Sequence, residues 1–166
     1  MAPARQPPWA SWHNGYQVYG DGEALLGWLN CTARVTARQA FEADGFLKDL
    51  AGAIQTRLQN KSAQVAHLKM TLCPDPGQPE AIAGVSLVRN DFAPELSFHL
   101  AEPVTGGQLI INLRAEAAPE LLAAAVREGL VAAAAKFPTL EAELDHLEHF
   151  RPGKPTPTHR IENLSA

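Results

Sequence analysis

The chain has 166 residues, 46% of them hydrophobic and 19% charged, with 14 lysines and arginines against 18 aspartates and glutamates. This length suits one domain with a real core, and the composition is globular rather than fibrous or disordered. A formal net charge of −4 and a pI near 5.8 disfavour a surface built for a polyphosphate backbone, so nucleic acid is not expected as a partner.

Residues 1–23 carry three prolines, three glycines and the aromatics Trp9, Trp12, Tyr16 and Tyr19 without sustained periodicity. They are expected to form an arm that packs on the domain or on a partner, because a free tail is normally poor in aromatics. The opening MAPARQPPWASW has one arginine and no apolar run of seven residues, so neither a signal peptide nor a membrane anchor is expected, and a cytoplasmic protein is. Cys31 and Cys73 stand far apart and read as free thiols of a reducing compartment.

The domain is expected over 24–149. From Trp28 to Thr36 the sequence alternates, with Leu29, Cys31, Ala33 and Val35 on one face and Asn30, Thr32 and Arg34 on the other, which predicts a half-buried strand. Leu47, Leu50, Ile54 and Leu58 then recur at helical spacing, with Asp44 as the expected N-cap and Asn60 as the stop. A second strand, Gln64 to Leu72, is expected to turn Ala66, Leu68, Met70 and Leu72 inward and Val65, His67, Lys69 and Thr71 outward. After the turn-rich CPDPGQP come two shorter strands, Ile82–Val88 and Glu95–Leu100, the second with Leu96, Phe98 and Leu100 on one face and Ser97 and His99 on the other. PVTGG reads as a loop, and QLIINLRAE as a strand with Leu109, Ile111 and Leu113 inward and Gln108, Asn112 and Arg114 outward. Pro119 suits the first turn of an alanine-rich helix bearing Leu122, Val126 and Leu130. Thr139 is expected to cap a third, short helix, LEAELDHLEH, with Leu140, Leu144 and Leu147 on one stripe. Pro152 ends it, and 150–166 are expected to run as an extended Pro-rich tail presenting His159 and Arg160.

This order predicts an α+β fold: a two-layer sandwich with a mostly antiparallel sheet and two main helices on one face, ferredoxin-like, with one strand too many. The 82–100 hairpin is the expected surplus.

If the helices cover one face, the other collects Asn30, Thr32, Arg34, His67, Lys69, Thr71, Asn112 and Arg114. Arg34, Lys69 and Arg114 would concentrate positive charge there on an otherwise acidic protein. No aromatics are expected among these positions, which argues against base stacking. His146 and His149, at i and i+3 on the expected third helix, could offer two nitrogens to a metal ion, though spacing locates no third ligand. No GxxxxGK[ST], GxGxxG, CxxC or HExxH occurs, so no nucleotide or other cofactor is implied.

AHLKMTLCPD from Ala66, GVSLVRNDFAPELS from Gly84, LIINLRAEA from Leu109 and the terminal HLEHFRPGKPTPTHR together resemble the C-terminal region of some CobW-like GTP-binding metallochaperones. The likeness spans roughly residues 28–160. It implies an α+β accessory module without the Walker A loop, guanine-specificity motif and paired-cysteine metal motif of the GTPase half. The expected function is a non-enzymatic module docking a protein partner, such as a CobW-like GTPase or a metalloprotein-maturation factor, through the cationic sheet face and the Pro-rich tail. The alternatives are a small enzyme acting on an anionic substrate with His67 as acid or base, and a metal-binding protein. A homodimer through an open sheet edge is conceivable.

Overall fold

The structure is a computed structural model that describes residues 25–153. Its elements in chain order are β1 (Gly27–Phe41), α1 (Ala43–Asn60), β2 (Val65–Pro74), β3 (Ala83–Leu87), β4 (Glu95–Phe98), β5 (Val104–Ala115), α2 (Pro119–Ala134) and β6 (Leu140–Phe150). The strands form one six-stranded sheet in the order β4–β3–β2–β5–β1–β6. Every neighbouring pair is antiparallel, so the fold is α+β. The hairpin partners β3 and β4 lie outside β2, at one edge of the sheet, and β6 forms the other. No helix among the described residues is long and apolar enough to cross a membrane.

Period-two alternation turns Leu29, Cys31, Ala33 and Val35 of β1, Leu68, Met70 and Leu72 of β2, and Leu109, Ile111 and Leu113 of β5 toward the two helices. The helices add Phe46, Leu47, Leu50, Ile54 and Leu58 from α1, and Leu122, Val126 and Leu130 from α2. They approach closely: a Cβ on Gly129 would lie 2.8 Å from Ile54 Cγ1. All these residues belong to one continuous core, and no polar or charged residue is buried among those described.

Five local expectations are corrected. The segment LEAELDHLEH is strand β6, not a helix. Ala33 pairs with Leu144 but Thr32 with His146, so Asp145 is an extra residue in a bulge. The bulge shifts the apolar phase from Leu140, Ala142 and Leu144 to Leu147, and that three-residue step imitates a helical stripe. The backbone of β1 was available to pair with, and the ladder outcompetes an isolated turn of acidic helix.

A second bulge at Ala66, between the pairs Val65↔Ala115 and His67↔Arg114, buries Val65 and leaves Ala66 exposed, the reverse of the expectation. PVTGG is no loop; Val104–Gly107 begin β5. Its glycines serve close approach, since a Cβ on Gly107 would lie 2.4 Å from the Cys73 carbonyl oxygen. Phe98, expected on one face with Leu96 and Leu100, is 49% exposed while Leu100 is buried. Asp44 does not cap α1 either: Glu42 occupies that position without a side-chain bond. The Asp44 carboxylate instead accepts the Leu100 N–H at 3.1 Å and pairs with His99 Nδ1, a tertiary use that displaces the local one.

Candidate functional site

The sheet face away from the helices is open, and the register arranges its side chains in rows across the strands. One row reads His67 (β2), Arg114 (β5), Trp28 (β1) and Phe150 (β6). The next reads Ser86 (β3), Lys69, Asn112, Asn30 and Glu148. Thr71, Ile110, Thr32 and His146 follow, then Cys73, Gln108, Arg34 and Glu143.

The first two rows enclose a half-open concavity of about 330 Å³ lined by Trp28, Asn30, His67, Lys69, Asn112, Arg114 and Phe150, with Leu29 and Leu113. Five of the eight expected sheet-face residues, Asn30, His67, Lys69, Asn112 and Arg114, therefore meet in one place, while Thr32 and Thr71 lie in the next row of the face. Arg34 does not join them. It lies four residues along β1 from Asn30, roughly 13 Å away at strand rise, and its guanidinium donates to both carboxylate oxygens of Asp75 at 2.6 and 2.5 Å. That bidentate bond, the main cause, raises the pKa of Arg34 above its ordinary value, so this cation is committed within the chain.

Trp28 and Phe150 were missed, and they change the character of the site. Trp28 shares the parity of Asn30 and Arg34, which is the sequence signal for its place on this face, at the very start of the expected strand. Phe150 was hidden by the expectation of a helix. The Arg114 guanidinium stacks 3.7 Å from the Trp28 ring centroid, and Phe150 leans on Trp28 with centroids 5.9 Å apart and planes tilted by 43°. Trp28 Nε1 is enclosed and has no hydrogen-bond partner among the described residues. The eight expected positions hold no aromatic side chain, but Trp28 and Phe150 bring two to the same face.

The electrostatics run from cationic to acidic across the face. The cations Arg114 and Lys69 stand on β5 and β2 with His67 beside them, while Glu148 and Glu143 lie on β6. The His67 pKa is lowered, first by partial burial and then by Arg114 and Lys69, so its imidazole is neutral at pH 7. The bulge at Ala66 immediately precedes His67 and turns Val65 to the core, while His67 keeps the parity of Lys69 and Thr71 that puts it on this face.

His146 pairs with Thr32 and His149 with Leu29, so the two imidazoles lie on opposite faces of β6. The expected two-nitrogen face is therefore not formed, and no group of three or more potential metal ligands occurs among the described residues. His159, Arg160, the arm over 1–23 and most of the Pro-rich tail lie outside the described residues. Comparison with protein-family models, with curated proteins and with solved structures finds no match.

Proposed function

We propose that this chain is a non-enzymatic binding module that docks a protein partner by taking an anionic group into the concavity at the Trp28–Arg114 end of its open sheet face. One observation carries the reading: His67, Lys69 and Arg114, supplied by two strands of an acidic protein, converge with Asn30 and Asn112 on a single hollow. Arginine and tryptophan are also the residue types that most often dominate binding at protein interfaces. The role accords with the accessory module implied by the CobW-like resemblance, with a GTPase or maturation factor as partner in the cytoplasm and the tail bearing His159 and Arg160 as a second contact. The order β2–β5–β1–β6, with α1 between β1 and β2 and α2 between β5 and β6, supports a two-layer, ferredoxin-like sandwich extended by β3 and β4.

The test is calorimetric titration with inorganic phosphate as the simplest anion. The native chain should bind saturably, Lys69→Ser with Arg114→Ser should not, and Arg34→Ser should bind as the native chain does, because Arg34 is held by Asp75. Equal binding by all three proteins would overturn the assignment.

A second reading, a small enzyme on an anionic substrate, is favoured by His67 lying neutral beside Arg114 and Lys69 in the same hollow. Under that reading His67→Gln keeps anion binding but abolishes turnover. Under the first, the bound group is recovered unchanged from both proteins.

A further inference from the structure

The concavity has two unlike halves, and their order across the sheet specifies more than a charge. On the β2 and β5 side stand His67, Lys69 and Arg114; on the β1 and β6 side stand Trp28 and Phe150. His67, Arg114, Trp28 and Phe150 share one register row, so the halves follow one another across the strands at about 4.8 Å per strand. Glu148, directly across β1 from Asn112 in the neighbouring row, repels an anion from the aromatic half and fixes the polarity of an occupant. Phe150 is 39% exposed, so its ring surface is available to pack against.

We infer that the site recognises an extended acidic peptide in which a carboxylate lies two residues from an aromatic side chain, the acid against Arg114 and Lys69 and the ring against Trp28 and Phe150. The spacing follows from the geometry. Residues i and i+2 of an extended peptide point the same way about 7 Å apart, which is one to two strand intervals of this sheet. The guanidinium of Arg114 already rests on Trp28 at 3.7 Å, and a planar cation held this way still offers its edge to a carboxylate. Asn30 and Asn112, adjacent in the second row, supply the donors and acceptors that the peptide's own amides need. The inference rests on the proposed anion-docking function and adds the neighbouring ring.

The test uses the full chain and three capped peptides: acetyl-Glu-Gly-Phe-amide, acetyl-Gln-Gly-Phe-amide and acetyl-Glu-Gly-Ala-amide, with inorganic phosphate alongside. Removing the acid should weaken binding about tenfold or more, and removing the ring about threefold to tenfold. Phe150→Ala should bring the first peptide down to the affinity of the alanine peptide. If the alanine and phenylalanine peptides bind equally and phosphate binds, the ring preference is wrong and the anion-docking function stands. If neither acidic peptide nor phosphate binds, the docking function itself falls. Equal binding of the Gln and Glu peptides would identify an apolar shelf without anion recognition and overturn both.

Discussion

Replacing Arg114 separates what this residue does for the fold from what it does for the site. Its guanidinium lies 3.7 Å from the Trp28 ring centroid, but the side chain is exposed and forms no ion pair among the described residues. A cation over an indole at such a site contributes about 0.5–1 kcal/mol, so Arg114→Ala should cost about 1 kcal/mol, or about 3 °C in melting temperature. Arg114 is also one of the two cations that depress His67, so the same substitution should raise the His67 pKa. Arg114→Lys keeps the charge beside His67 and loses the planar stack, so it should reproduce the stability loss while leaving His67 depressed. Urea unfolding followed by circular dichroism measures the first quantity, and an NMR titration of the His67 ring measures the second. A loss above about 3 kcal/mol would mean that Arg114 is structural. An unchanged His67 titration in Arg114→Ala would remove the electrostatic picture of the concavity.

Gly107→Ala should destabilise by about 3 kcal/mol, the upper end for overpacking, because its Cβ meets the Cys73 carbonyl at 2.4 Å and Pro74 Cα at 3.0 Å; an unchanged urea midpoint would contradict this. Ser62, two residues past the end of α1, has φ of 56°, so Ser62→Gly should stabilise by about 0.5 kcal/mol, the relief of left-handed strain less the entropy of the added glycine; a lower melting temperature would refute it. Burial of Cys31 pushes its thiol up to about 11, so iodoacetamide at neutral pH should modify the half-exposed Cys73 well before Cys31, as peptide mass mapping would read out. His67 has a folded pKa below its ordinary 6.5, so the unfolded state takes up its proton first. The resulting contribution is fully favourable above pH 6.5 and is lost as pH falls toward the folded pKa; His67→Gln should flatten that part of the stability curve.

The central strands were legible because β1, β2 and β5 alternate strictly over the residues that matter, and Leu29–Val35, Leu68–Leu72 and Leu109–Leu113 are buried as their parity requires. Both main helices were legible from their apolar spacing, and Pro119 opens α2 as expected. What escaped was controlled by partners distant in sequence. Asp145 and Ala66 are bulge residues whose phase shifts appear only once β1 and β5 lie alongside. Gly106 and Gly107 carry the same letters as a turn, yet they answer to the backbone of β2 and β1. The site was half legible for the same reason. Parity alone put His67, Lys69, Asn112 and Arg114 on one face, but joining Phe150 to Trp28 needed β6 to be a strand, and excluding Arg34 needed Asp75, 41 residues away.

Anion recognition at the junction of β2, β5 and β1 is tested most directly by residue-resolved NMR mapping during titration with acetyl-Glu-Gly-Phe-amide. Saturable shifts should cluster at Trp28, Asn30, His67, Lys69, Asn112, Arg114 and Phe150, with the His67 ring gaining a proton more readily as the acid arrives. An undisturbed concavity, or shifts centred instead on Arg57 and Arg127 in the groove between the helices, would contradict it.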